Sequence, residues 1–264
     1  MKKLIASIAV LLLLTTVYAI PADAADVYVD TDGVNDGIVG ISYNGEADTR
    51  YKVMISKGSE EYYYDYFGPG IEYFPLQNGN GNYKISFLEL MSGTKYKVIY
   101  TKNINAEIES DTTVFLQSVQ NVNWNSEMET VALANELVKG LTSDKDKVEA
   151  IYLYIVSNIK YDYEKINTVD SRYIPDVEGT LKSKKGICYD YSALFASMLR
   201  SQGIPAKLIK GYTDNVEGYH AWNEVLIDGQ WVIIDTTYDA MMRSYNSDEG
   251  YEKNHTEYRI ARVY

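Results

Sequence analysis

Hydrophobic and polar positions alternate in two different rhythms along this chain, and the rhythm changes near its middle. From Asp26 to about Ile108 the period is two. Tyr51, Val53 and Ile55 alternate with Lys52, Met54 and Ser56; Tyr83, Ile85 and Phe87 with Lys84 and Ser86; and Tyr96, Val98 and Tyr100 with Lys97 and Ile99. Runs of this kind mark half-buried strands. Asn78-Gly79-Asn80-Gly81 and Ser92-Gly93 punctuate them as turns. About seven such runs predict a small antiparallel β-sandwich of immunoglobulin size. The pattern loosens between about Asn105 and Asn125, where Glu109, Ser110, Asp111, Thr112 and Thr113 follow one another, and the domain boundary is placed near residue 118.

Beyond it the period becomes helical. Val131, Ala134, Leu137, Val138 and Leu141 line one helix. A second begins near Ser143 or Asp144, both good caps, and buries Val148, Ile151, Ile155 and Ile159. Tyr161-Asp162-Tyr163 lies just past its end, and a loop rich in turn residues leads on to a third helix. There Tyr191, Leu194, Phe195, Met198 and Leu199 recur at i, i+3, i+4, i+7 and i+8, with Gly203 and Pro205 closing the element. Cys188 falls at or just before its first turn, where free backbone N–H groups and the helix dipole favour a thiolate. Asp190 in the same turn opposes that effect, so a basic partner is needed.

After this helix the alternation returns. Ala206 to Tyr212 reads as a strand. His220, Trp222, Glu224 and Leu226 share one face of the next, and Asp228-Gly229 is a two-residue hairpin signal. Carried through that turn, the register sets Ile227 opposite Gln230, Trp222 opposite Asp235 and His220 opposite Thr237. Asp235 is then on the face of His220, one diagonal step away. A slip of one residue would put it on the other face.

The ends of the chain and its charge add limits. Residues 1–24 combine a positive start (Lys2, Lys3), an apolar run from Leu4 to Val17 and Ala22-Asp23-Ala24 before Ala25, the arrangement of a cleaved export signal. An uncleaved anchor is the alternative. Removing that segment, with its two lysines and one aspartate, takes the formal charge from −12 to −13. So acidic a surface argues against nucleic acid and anionic membranes as partners and suits neutral or cationic ones. Tyrosine is abundant at 26 residues against 5 phenylalanines, so many rings are expected half-buried with the hydroxyl towards water. Asp30, Asp32, Asn35 and Asp36 resemble a calcium loop, but Val34 stands where an oxygen ligand is required, so an Asp/Gly turn is expected and no metal or cofactor is implied. Tyr62, Tyr63, Tyr64, Tyr66, Phe67, Tyr73 and Phe74 are expected to pack across the sheet, with a stacking platform for a ligand as the alternative.

Cys188 is the single cysteine, and an exported chain cannot use a single cysteine for an internal disulfide. Of the two histidines, His255 lies in a polar tail and is expected at the surface. A cysteine at a helix start, followed by His220 and Asp235 on facing strands, supplies the three residue types that thiol catalysis uses. The thiolate attacks a carbonyl, the imidazole moves the proton, and the carboxylate orients and stabilises the imidazolium.

Three segments carry a resemblance to a known family. Gly186-Ile187-Cys188-Tyr189-Asp190-Tyr191, Gly218-Tyr219-His220-Ala221-Trp222-Asn223-Glu224 and Trp231-Val232-Ile233-Ile234-Asp235-Thr236-Thr237 resemble, in order and spacing, the transglutaminase-like superfamily with its papain-type core. The likeness covers roughly residues 120 to 240. It implies an α+β protein in which a small β-sandwich (25–118) precedes a transglutaminase-like catalytic domain (119–264). It further implies Cys188 as nucleophile, His220 as general base and acid, Asp235 as the orienting acid, and amide chemistry through an acyl-thioester. Tyr161, upstream of the cysteine, is the candidate oxyanion donor beside the Cys188 N–H, and Trp222 a candidate wall for substrate. The family includes cross-linkers, proteases and amidases, so hydrolysis and amine transfer both remain open, as does a binding module that only holds a peptide. The implied partner is a protein or peptide, outside the cytoplasm or at the cell envelope. Hydrolysis is weakly favoured, because only one apolar wall can be named to keep water from the thioester.

Overall fold

The computed structural model describes residues 26–46, 48–243 and 251–264. The candidate export segment 1–24 lies outside them. Seven strands form the N-terminal half: β1 (Tyr28–Asp30), β2 (Ile38–Ser42), β3 (Tyr51–Lys57), β4 (Glu60–Tyr66), β5 (Glu72–Pro75), β6 (Gly81–Ser92) and β7 (Lys95–Ala106). They make a three-stranded sheet in the order β1-β2-β5 and a four-stranded one in the order β4-β3-β6-β7, with antiparallel pairing throughout. Inward positions of both, such as Ile41 and Phe74 from one and Val53, Tyr64, Ile85 and Phe87 from the other, share one core. The predicted aromatic cluster divides by the pleat. Tyr62, Tyr64, Tyr66 and Phe74 are buried, whereas Tyr63, Phe67 and Tyr73 are exposed. In the Asp-rich turn, Asp30 Oδ1 accepts from the Asp32 N–H (3.0 Å), as a turn-forming aspartate does.

The stretch read as a loose linker is more ordered than its composition suggests. Thr113–Leu116 forms a 3₁₀ turn that buries Val114 and Phe115, and the Phe115 ring meets Trp231 edge-on at 5.6 Å. The N-terminal core ends at Ile108, and the second begins at Val119.

The second half contains α1 (Glu129–Leu137), α2 (Asp144–Asn158), β8 (Lys160–Tyr161), α3 (Val177–Ser183), β9 (Lys185–Gly186), α4 (Cys188–Ser201), β10 (Ala206–Thr213), β11 (His220–Ile227), β12 (Gln230–Ile234), α5 (Thr236–Arg243) and β13 (Tyr258–Val263). Ser143 caps α2, its hydroxyl accepting from the Asp146 N–H. Helix α3 stands where only a loop is expected. It is two turns long, capped by Asp176, and too short to leave a periodic signal.

Helix α4 is the centre of this half. Its apolar stripe predicts one buried face, but every residue from Tyr189 to Arg200 is buried. The sheet β12-β11-β10-β13 covers one side, and α1, α2, α3 and α5 also pack against it. The polar side chains on α4 therefore find partners inside the protein. Ser197 Oγ donates to the Asn123 carbonyl (3.0 Å). The Arg200 guanidinium donates to the carbonyls of Ala206 (2.9 Å), Gln117 (2.7 Å) and Tyr264 (3.0 Å). Arg200 thereby joins the segment between the two cores to the last residue of the chain.

That last segment corrects the expectation of a polar tail. His255 is exposed, as expected. Tyr258–Val263, however, is the edge strand of the β12-β11-β10-β13 sheet, paired with β10. Its approach depends on Gly211, where a Cβ would lie 2.1 Å from the Arg259 carbonyl oxygen and 2.8 Å from the Trp222 ring.

Candidate active site

Local structure places the three sequence-predicted residues together. Strands β8 and β9 pair in parallel, Tyr161 opposite Gly186, which fixes the chain immediately before Cys188. Cys188 is then the first residue of α4, partly exposed, behind Ile187 in extended conformation. The first-turn N–H groups there have no intrahelical acceptor and point outward from the helix start. Asp190 does not act as a free opposing charge. It is fully buried, accepts from the Ile187 N–H (2.8 Å) and from the Tyr173 hydroxyl, and pairs with Lys165 Nζ at 2.8 Å.

The hairpin register is the one expected. Ile227 pairs with Gln230 and Asn223 with Ile234. Asp228 (φ 51°) and Gly229 (φ 79°) both take the left-handed conformation that a type I′ turn requires. Pairing stops after Ile234, because Thr236 already starts α5, so Thr237 is helical and does not face His220 in a ladder. Asp235 is thereby at the helix start, where its Oδ1 accepts from the Tyr238 N–H (3.0 Å). Its Oδ2 lies 2.8 Å from His220 Nε2 and 3.1 Å from the Tyr258 hydroxyl, which donates to it. Three donors converge on one fully buried carboxylate and fix its position.

His220 is 3% exposed. Nε2 is taken by Asp235, and the Cys188 sulfur is within electrostatic reach of the same ring. Burial opposes a charge on this imidazole, but the Asp235 carboxylate and then the Cys188 sulfur outweigh it, and its pKa stands above the usual histidine value. A protonated imidazole beside the sulfur stabilises negative charge there.

Trp222 departs from the role foreseen for it. Its ring stacks near His220 (centroids 6.3 Å apart, planes at 25°) and meets Tyr258 edge-on at 5.0 Å, with no exposed surface at all. A side chain buried between Ile209, Ile233 and Tyr258 backs the imidazole and offers no wall to a substrate. Tyr161 is half-buried and within electrostatic reach of Cys188. Burial first, then the sulfur, pushes its pKa up to about 12, so it remains a neutral donor. It also lines a cavity of about 490 Å³ with Tyr163, Tyr191 and Met241, although none of Cys188, His220 and Asp235 does.

Two further residues of the site were not found from the sequence. Tyr258 holds Asp235 from a strand 23 residues further on. Burial first, then Asp235, raises its pKa, so it stays a donor. Its only sequence signal is the alternation of Tyr258 and Ile260. Lys210 on β10 is the second. It is half-buried, and burial pushes its pKa down to about 8 while the Cys188 sulfur works the other way. A lone lysine in a strand gives no sign of that proximity.

Comparison with known proteins agrees with this architecture. Residues 131–236 match the core of the transglutaminase-like superfamily. The chain is similar to kyphoscoliosis peptidase of Mus musculus, 30% identical over 119 residues, covering 41% of this chain and 18% of that protein. It is also similar to a UPF0252 protein of Methanocaldococcus jannaschii, 30% identical over 148 residues, covering 52% of this chain and 40% of that one. The chain thus spans well under half the length of either relative. Among solved structures, the periplasmic domain of TgpA from Pseudomonas aeruginosa is 14% identical with a TM-score of 0.40, covering 82% of this chain and 94% of that one. An α+β fold, the helix-start cysteine with its strand-borne histidine, and the match over 131–236 lead to one conclusion: residues 131–236 form a core domain of the transglutaminase-like superfamily.

Proposed function

We propose that this protein is a thiol enzyme that cleaves peptide or side-chain amides through an acyl-thioester on Cys188 and resolves that thioester with water. The observation that carries the reading is the buried His220–Asp235 pair, bonded at 2.8 Å, with Cys188 at the start of α4 within its electrostatic reach. The sulfur attacks the amide carbonyl, and the developing oxyanion is met by the N–H of Cys188 at the start of α4, with Tyr161 as a second donor. Protonated His220 gives its proton to the leaving amine, which departs as the thioester forms. The neutral imidazole then takes a proton from water, and the acid is released with the thiol restored.

Hydrolysis is preferred to amine transfer because transfer requires a site that shields the thioester from water between apolar walls. The one wall foreseen, Trp222, is turned inward. The reading places the enzyme outside the cytoplasm, on the strength of residues 1–24, with a protein or peptide of the cell envelope as substrate. Among the described residues no helix is long and apolar enough to cross a membrane.

The test is to follow release from a glutamine or peptide amide with and without a primary amine. Turnover should proceed in water alone and be lost in Cys188→Ala. Turnover that depends strictly on the amine, with the amine found in the product, would make the protein a transferase. An unaltered rate in Cys188→Ala would remove the thiol mechanism altogether.

A further inference from the structure

Lys210 and Arg262 stand directly opposite one another on β10 and β13, the last pair before the bulge at Gly211. Like charges in that relation destabilise a sheet. Neither side chain has an acidic partner within ion-pair distance among the described residues. What surrounds them is aromatic. Lys210 Nζ lies 3.3 Å from the centre of the Tyr189 ring and 5.5 Å from that of Tyr264, and the Arg262 guanidinium lies 5.4 Å from the Tyr62 ring. The Cys188 sulfur is within electrostatic reach of Lys210. Lys210 is half-buried and Arg262 is exposed, so one cation is deep and the other is at the rim. Tyr219, more than half exposed, is within electrostatic reach of Arg262.

Rings favour a cation, but they do not neutralise it. Two facing cations, the deeper of them over the ring of Tyr189, the residue after Cys188, are a local reversal of the overall field in a chain of formal charge −12. We propose that Lys210 and Arg262 form a carboxylate-binding subsite beside Cys188, which selects acyl donors carrying a carboxylate close to the amide that is cleaved. This rests on the reading of Cys188 as the nucleophile. The substrate class it names is an acidic peptide, with the carboxylate on a side chain or at the chain end. A carboxylate in this position would accept charge-assisted hydrogen bonds from the lysine and the guanidinium together. It would also relieve the repulsion between them.

The experiment uses two alkylating reagents of the same chemistry and opposite demand on the subsite, iodoacetate (anionic) and iodoacetamide (neutral), with the full-length protein. The imidazolium of His220 attracts iodoacetate in every variant, so the informative quantity is the change in the iodoacetate-to-iodoacetamide rate ratio. It should fall about tenfold in Lys210→Met and several-fold in Arg262→Gln, and be retained in Lys210→Arg. Arg262 is at the exposed rim, so its substitution tests the subsite even if Lys210→Met fails to fold. A ratio unchanged in folded Lys210→Met and in Arg262→Gln would overturn the proposal.

A second measurement does not use the thiol. In Cys188→Ala, N-acetylglutamate α-amide (side-chain carboxylate alone) or N-acetylglutamine (chain-end carboxylate alone) should bind about tenfold more tightly than N-acetylglutamine α-amide, which has neither, by ligand-observed NMR, and adding Lys210→Met should abolish the difference. The two carboxylate probes separate a side-chain acid from a terminal one. If Cys188 reacts with neither reagent but the acids still bind through Lys210, the nucleophile reading fails and the subsite stands. If alkylation is rapid and neither measurement responds to Lys210 or Arg262, the nucleophile stands and the subsite fails.

Discussion

Replacing Asp235 by Asn removes one charge from a buried site without changing its size, which makes its effect calculable. The carboxylate oxygen is 2.8 Å from His220 Nε2, and both side chains are almost wholly excluded from water. With the charges centred about 4 Å apart and an effective dielectric of about 20, the lost attraction is about 4 kcal/mol, equivalent to roughly three pH units on the imidazole. Burial, which opposes the charge already in the native protein, is then no longer outweighed. The imidazole of Asp235→Asn therefore carries its charge to a much smaller extent above neutral pH. The sulfur next to it then loses part of the positive charge that stabilises its thiolate. The second-order rate of alkylation by iodoacetamide near neutral pH should fall about tenfold or more, while at pH 9.5 the two proteins should differ little. The assay is the alkylation rate from pH 5 to 10, with mass spectrometry to confirm Cys188 as the site. A variant that keeps the native profile below pH 8 would refute the electrostatic account of the site.

The same pair sets a pH dependence of stability. A histidine whose folded pKa lies above 6.5 stabilises the fold fully below that value and loses its contribution as pH rises through the folded value. The difference in urea stability between the native protein and Asp235→Asn should thus be largest in mild acid and shrink towards alkaline pH. Tyr258→Phe removes one of three donors to Asp235 and should lower stability by about 1.5–3 kcal/mol in urea melts, with a smaller loss of Cys188 reactivity than Asp235→Asn. Arg200→Met leaves three buried carbonyls without their donor and should cost about 3 kcal/mol or more. Limited proteolysis should cut first in the exposed stretch 109–111 and spare Val114 and Phe115; a first cut inside 190–240 would contradict two separately cored units.

Much of this site was legible locally. The hairpin at Asp228-Gly229 needs two left-handed residues in succession, which few residue pairs accept, so the turn sets the register and the register brings Asp235 to His220. The start of α4 is equally local: Gly186 and Ile187 precede a strict helical stripe, and the cysteine has one place to be. Period-two alternation identified the sandwich strands for the same reason, since each pleat sends alternate residues to one face. What local pattern does not encode is which faces meet across long separations. Tyr258 reaches Asp235, and Arg262 reaches Lys210, only because β13 docks on β10 over a glycine, a pairing between segments some fifty residues apart. The inward turn of Trp222 and the charge compensation of Asp190 by Lys165 were likewise decided by packing. Residues that share a strand or a turn are related by covalent geometry, whereas those brought together by the sheet edge and by the burial of α4 on all sides depend on the free energy of the whole assembled core.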